Sequence, residues 1–556
     1  MTFADKLFYN GTIATVNDAF DFAQAVAVKD GKILAVGTND DILTMCNEHT
    51  EKIDLNGAFM LPGIHDSHVH ASDFINSTES LDCSKVETVA ELKALIAERK
   101  KTGASVIAGN NLTNAVLDKG LTCLDLDEAA GDTPVMLVMW HGHGCAVNSV
   151  VLKNSGITKD TPTPAGTTVG RFENGEPTGI LQEFGAMQLA SAGIPRLTAE
   201  DIRRNLIKMQ QLMNSMGYTA YTECTVGPGN NEGGAGASGE KCLEAYQMML
   251  RDNELTCRVS IGFYSAKNGT QSAEALKNDL ERGAVPVSEN KDWLKFNMLK
   301  FFCDGVHLSN TAWMKNDYLN APGNHGFSAF NDGTMTDKEQ EKIIREILSI
   351  AHRSGHQIGI HTIGDRAVKV AAEAIIDAQN SYPREDCRHY LIHADSFGDI
   401  EDIKKCAENG IYISVQPNLA EEIYEASLAI VGEKAEKLMA LRQMTDCGCV
   451  VAGGSDTIAG EYHTWQRGIR CAVERRSVSG KLYRQDLALT MEEAIRLYTI
   501  NAAKQEFAED VRGSIEIGKF ADFTVVDKNL FDIPPRELDD VKVVMTVVDG
   551  DIVYRR

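Results

Sequence analysis

The chain has 556 residues, 43% hydrophobic and 24% charged, with 47 Gly against 13 Pro, enough to bury one large core and a smaller second one. Its formal net charge of -24 repels nucleic acid and anionic lipid, so neither is expected as a partner, and no apolar run is long enough to cross a bilayer. The 13 cysteines are odd in number and mostly scattered, and Cys447 and Cys449 lack a second close pair to complete a zinc knuckle. Reduced thiols in a cytoplasmic protein are therefore expected, and no basic, apolar leader opens the sequence.

In chain order, the first fifty or so residues carry strand-like runs, KLFYNGTIATVN and FAQAVAVKDGKILAVGT, with Asn10-Gly11 and Asp30-Gly31 as hairpin turns. The C-terminus has the same texture in GSIEIGKFADFTVVD and VKVVMTVVDGDIVYRR, turned at Asp549-Gly550. Both ends, residues 1–58 and 508–556, are predicted to build one small β-sandwich. Between them, residues 59–507 alternate β-rich runs with amphipathic helical stretches: CRVSIGF before SAEALKNDLERG, HQIGIHTIGD before RAVKVAAEAIIDAQN, YLIHAD before DIEDIKKCAENG. That rhythm predicts an α/β fold with a parallel sheet, closed by repetition into a TIM-like (β/α)8 barrel. Residues 71–190 break the rhythm with their own strands (SVIAGN, PVMLVMWHG) and the segment TPTPAGTTVG. They read as a subdomain inserted after the first barrel strand, over the barrel mouth. GNNEGGAGASG (229–239) has the composition of a loop.

The chemistry sits at strand ends. PGIHDSHVH presents His68 and His70 at i, i+2, which on a strand puts both imidazoles on one face, half of a site for zinc or a similar ion. Alone, that pair reads more readily as core or loop histidines. His361 ends HQIGIHTIGD, His393 ends YLIHAD and Asp456 ends CVVAGGSD, each where barrels build their active sites. NMLKFFCDG places Lys300 inside an apolar strand, where a lysine is costly unless neutral, modified or paired. Its nearest carboxylate in sequence, Asp304, would be about a dozen ångströms away on an extended strand. A neutral amine can take up CO2 to form a carbamate able to bridge two metals.

This set resembles the amidohydrolase superfamily, and within it the YtcJ-like branch, amidohydrolase family 3. The matching pieces are PGIHDSHVH, GHGCAVNS, GEPTGILQE, LKFFCDG, HTIGDRAV, RHYLIHAD, ISVQP, GGSD and the C-terminal GSIEIGKFADFTVVD. The resemblance implies hydrolysis of a non-peptide C–N bond in a small molecule by hydroxide held on metal. His68 and His70 would bind one divalent ion, and His361 and His393 a second, with Zn expected and Mn, Fe or Co admitted. Carboxylated Lys300 would bridge them, and Asp456 would contact a metal and move the proton. His143, on the insertion, would face the substrate, and Glu183 is an acidic ligand or lid contact. Trp313, with Trp140 and Phe184, is an aromatic candidate for the substrate pocket. Asp365 is expected to have a structural role in its loop. The chain departs from the family pattern at Ile392, where a Glu is usual, and at His65, whose odd spacing from His68 should turn it away from the metals.

The nearest alternative is a mononuclear deaminase of the same superfamily. Such sites typically lack the strand-four lysine and carry a Glu near the strand-five histidine, where HTIGD offers Asp365. A non-catalytic scaffold is a further alternative, although a scaffold has no need of a buried lysine ringed by histidines. The residues leave the substrate open and admit a homodimer without requiring one.

Overall fold

The computed structural model describes residues 2–73, 80–139, 144–163, 168–182, 184–230, 239–266, 271–330, 334–394, 399–456 and 463–556. Eight parallel strands form the central sheet: β1 (Ile64–Val69), β2 (Tyr218–Val226), β3 (Arg258–Tyr264), β4 (Leu294–Phe302), β5 (Gln357–Thr362), β6 (Tyr390–His393), β7 (Tyr412–Val415) and β8 (Val451–Gly453), each hydrogen-bonded to the next. Runs such as YTAYTECTV and RVSIGFY are buried along their whole length, as strands covered on both faces require. Amphipathic helices separate the strands. The one before β5, Asp337–Arg353, opens with a capping box between Thr336 and Glu339 and buries Ile344, Ile347 and Leu348.

The sheet closes at its C-terminal rim. The Asp456 amide donates to the His68 carbonyl at 2.8 Å, and the buried Asp66 carboxylate accepts from the amides of Ser455 (2.9 Å) and His68 (3.1 Å). Gly454 makes this approach possible, since a Cβ there would stand 2.8 Å from the His68 nitrogen. Pairing of β1 with β2 slips by one residue between Ile64 and His65 and back again between Asp66 and Val69, irregularities where an active-site strand re-aims its side chains.

Both chain ends do build one sandwich. A four-stranded sheet (Lys32–Gly37, Ala25–Lys29, Lys6–Tyr9, Glu51–Asp54) shares a core with a six-stranded sheet in which Phe59–Pro62 pairs antiparallel with Phe523–Val526. Phe8, Met60, Phe523 and Val547 lie in that core. The sandwich sheet thus includes Phe59–Pro62, and the barrel begins at Ile64. Arg258 on β3 grips Asp522 with two hydrogen bonds, 2.7 and 3.1 Å, both side chains being buried.

The insertion after β1 forms a second compact unit from Ser72 to Asn205. It carries its own six-stranded sheet, from Leu81–Asp82 to Thr168–Arg171, and two apolar clusters, one around Leu92, Ile107 and Leu137, the other around Cys145, Val151 and Leu181. All 13 cysteines of the chain are free thiols. Among the described residues no helix is long and apolar enough to cross a membrane.

Candidate metal centre

Six of the residues nominated by sequence meet at the barrel's C-terminal rim. His68 and His70 place their Nε2 atoms 3.0 and 3.2 Å from Asp456 Oδ1. The His393 ring lies 4.6 Å from that of His361 and 5.5 Å from that of His68, and its Nε2 is 3.9 Å from Asp456 Oδ2. Lys300, only 1% exposed, holds its Nζ 4.6 Å from the centre of the Phe302 ring, which packs 5.3 Å from the His361 ring.

Local backbone geometry aims these groups. Ile392 packs in the barrel interior with Cys224, Met298 and Tyr390, so simple alternation would send its neighbour His393 outward. Instead His393 has φ +67, and Asp456 at the end of β8 has φ +56. Left-handed conformations are costly for such residues and gather at functional sites, where the surrounding structure holds them. His65 is turned to Thr222 (3.2 Å) and Arg512 (3.4 Å). The slip in β1 intervenes, so counting residues from His68 is not what places it.

The outer nitrogens of three imidazoles are occupied. His361 Nε2 faces the Gly305 carbonyl at 3.2 Å, His393 Nδ1 faces Gln416 Oε1 at 2.6 Å, and His68 Nδ1 lies 3.0 Å from Cys224 Sγ. For His361 and His393 the partner is an oxygen acceptor, which places the proton on the outer nitrogen and a lone pair on the inner one. That is how second partners prepare a histidine to ligate a metal. Two ligand atoms each ~2.1 Å from one ion stand ~3.0–3.4 Å apart, the spacing found between Asp456 and the His68 and His70 nitrogens. The donor set of imidazoles, a carboxylate and an amine fits a divalent transition metal.

Burial dominates the electrostatics. It pushes His68 down to about 3, with the Lys300 charge adding to the effect. Burial likewise lowers His361, His393 and Lys300, favouring neutral imidazoles and a neutral amine. His70 moves the other way: burial opposes protonation, but the bond to Asp456 prevails and raises it. Burial also works against ionisation of Asp456, yet His68 and His393 hold its carboxyl well below the usual range.

Asp304 does not pair with Lys300. Its carboxylate accepts backbone N–H groups of Trp313 (2.8 Å), Ile363 (3.0 Å) and Gly364 (2.8 Å), clamping the β4 and β5 rim loops together. Trp313 is fully buried, with its indole donating to Asp337 at 3.2 Å, so it offers no exposed face to a substrate. Asp365 holds the Lys315 amide and the Lys434 ammonium, a loop role. His143, Glu183 and Trp140 lie outside the described residues, as does the side chain of Phe184.

Sequence reasoning passed over Gln416, Cys224 and Asp66. Gln416 follows the end of β7 and Cys224 lies two residues before the end of β2, whereas Asp66 is in the middle of β1; Gln416 and Asp66 lie inside the motifs ISVQP and PGIHDSHVH. Strand-end position was the available signal for the first two, but none is of a type that advertises a metal ligand at that spacing. A further cluster of possible ligand atoms, His352, Cys387 and His389, lies at the opposite end of β5 and β6.

A profile described as the amidohydrolase family matches residues 51–554. The chain is 28% identical to YtcJ of Bacillus subtilis, named as an amidohydrolase, over 99% of both chains. It is 27% identical to an N-substituted formamide deformylase of Arthrobacter pascens, over 99% of this chain and 98% of that one. A metal-dependent hydrolase of Pyrococcus furiosus has the same fold, with a TM-score of 0.75 at 23% identity, covering 94% of this chain and 99% of the other.

Proposed function

The chain belongs to the amidohydrolase family, and on that premise we propose that it hydrolyses a non-peptide, amide-type C–N bond in a small molecule with the help of two divalent cations. The observation that carries this reading is the orientation of the imidazoles: His361 and His393 have their outer nitrogens committed to Gly305 and Gln416, which leaves the other nitrogen of each ring free to ligate, and that of His393 lies 3.9 Å from Asp456 Oδ2. Acceptors placed behind both rings make a site for cations a better account than a packed histidine core.

His68 and His70 would hold one ion, and His361 and His393 the other. Lys300, buried and biased toward its neutral amine, would add CO2 and lose a proton, giving a carbamate whose two oxygens bridge the pair. Zinc suits these ligands, as do Mn, Fe and Co. When bound, the cations polarise the scissile carbonyl and make water acidic enough to attack near neutral pH.

Asp456 is the group that moves protons. Its Oδ1 already lies against His68 and His70, and its side chain is 20% exposed, so water and substrate can reach it. It accepts the proton of the attacking water and returns it to the departing nitrogen, which is a poor leaving group until protonated. Its carboxyl is held well below the usual carboxylate range, in the ionised form able to accept.

The A. pascens relative is named for N-substituted formamides, which makes that class the first to test. Protein stripped of metal and reloaded would be offered N-substituted formamides, N-acyl amines, N-acyl amino acids and lactams, with released amine measured. Metal-dependent amine release from at least one class is expected. Fully loaded protein inert toward all of them would contradict the reading.

A further inference from the structure

Strand β7 ends at Val415, and the next residue, Gln416, is followed by Pro417, the first residue of the helix Pro417–Val431. A proline restricts the residue before it to extended backbone, and Gln416 sits at φ -127, ψ 82. Chain direction and a helix start thus fix where this side chain can reach. It is fully buried, with Oε1 2.6 Å from His393 Nδ1.

The other end of the amide is informative. Among the described residues Gln416 Nε2, a two-proton donor, has no hydrogen-bond partner. Leaving a buried donor unmatched is costly, so the amide is not turned to suit itself. Its orientation serves the imidazole. We propose that Gln416 is the positioning residue that holds His393 as the Nδ1–H tautomer, and thereby sets the affinity of the cation site that His393 shares with His361. The inference rests on reading those two histidines as a cation pair. At His361 the same task falls to a backbone carbonyl, Gly305, which no side-chain substitution removes. At His393 it falls to a side chain, so it can be tested directly.

Without the acceptor, the His393 proton is free to settle on Nε2, where it faces Asp456 and blocks the lone pair. The test is titration of metal-free protein with Zn2+ against a competing chelator, for wild type, Gln416→Leu and Gln416→Glu. Wild type should take up two equivalents. Gln416→Leu should weaken one of them about 10- to 100-fold and leave the other within about twofold. Gln416→Glu keeps an acceptor oxygen and should bind at least as tightly as wild type. The 15N spectrum of labelled histidine in metal-free protein should move one ring from Nδ1–H to Nε2–H in Gln416→Leu alone. Two equivalents bound as tightly by Gln416→Leu as by wild type would overturn the inference and leave the dinuclear reading standing, whereas wild type binding no cation would remove both. Thermal unfolding of the metal-free proteins separates ligand loss from folding loss. If Gln416→Leu does not fold, Gln416→Glu decides, and a tenfold loss of affinity in it overturns the inference.

Discussion

The rim cluster and the cluster of His352, His389 and Cys387 look alike when only distances are read. His68, His393 and Asp456 at the rim, and His352, Cys387 and His389 at the other end of β5 and β6, each bring three potential ligand atoms within 4.8 Å of one another. Their hydrogen bonds separate them. The Ile358 amide donates to His389 Nδ1 at 2.9 Å, so the His389 proton is on Nε2, which faces His352 Nδ1 at 2.9 Å; His352 Nε2 in turn faces the Tyr382 carbonyl at 2.7 Å. All four ring nitrogens have a fixed role, and a cation on His389 Nε2 would force a proton onto Nδ1, against the Ile358 N–H. At the rim, oxygen acceptors sit behind His361 and His393 and leave their inner nitrogens to a ligand, while His68 and His70 turn Nε2 to the Asp456 carboxylate. A histidine cluster is therefore diagnosed by where its protons must be, and proximity alone does not suffice.

The comparison can be broken in three places. Asp456→Asn should retain the metal content of the wild type and lose about 10²- to 10⁴-fold in kcat, measured on whichever substrate the panel yields. Turnover near the wild-type rate would remove Asp456 as the proton carrier. Lys300→Ala should lower the metal bound per chain, with partial recovery in short carboxylic acids that replace the bridging oxygens. Unchanged metal content would remove the carbamate. His389→Gln should leave metal content untouched and cost about 1–3 kcal/mol of stability by opening the hydrogen-bond chain. A drop in bound metal there would show that the two clusters are not as different as their bonds indicate.

The same variant has a pH signature. Burial, with help from His352, holds His389 down to about 3, while an unfolded imidazole titrates near 6.5. Between those values the unfolded chain binds the extra proton, so the folded state loses stability as pH falls from about 6.5 toward 3. Urea unfolding at several pH values should show a shallower acid decline for His389→Gln than for wild type. Parallel declines would mean that this ring is not held neutral.

Much of the architecture is written in local patterns. Asp30-Gly31 and Asp549-Gly550 turn antiparallel hairpins of the sandwich as expected, whereas Asn10-Gly11 carries the chain from one sheet of the sandwich to the other; the alternation of apolar runs with amphipathic stretches gives the barrel, because each pattern depends on neighbours a few residues apart. The strand-end positions of His68, His70, Lys300, His361, His393 and Asp456 are legible for the same reason. What brings them together is not. His393 turns inward only because its backbone is left-handed, β1 slips one residue in its pairing, and Gln416 and Cys224 acquire a meaning only from a ring on another strand. Asp304, which sequence could weigh only against Lys300, is occupied by three amides from two distant segments.

The most direct test of the central claim is a crystal of zinc-loaded protein measured at the zinc absorption edge. Two anomalous peaks per chain are predicted, one between His68 and His70 and one between His361 and His393, with density for a carbamate on Lys300 between them and none at His352, Cys387 and His389. Peaks at the second cluster, or an empty rim in protein that carries zinc, would contradict it.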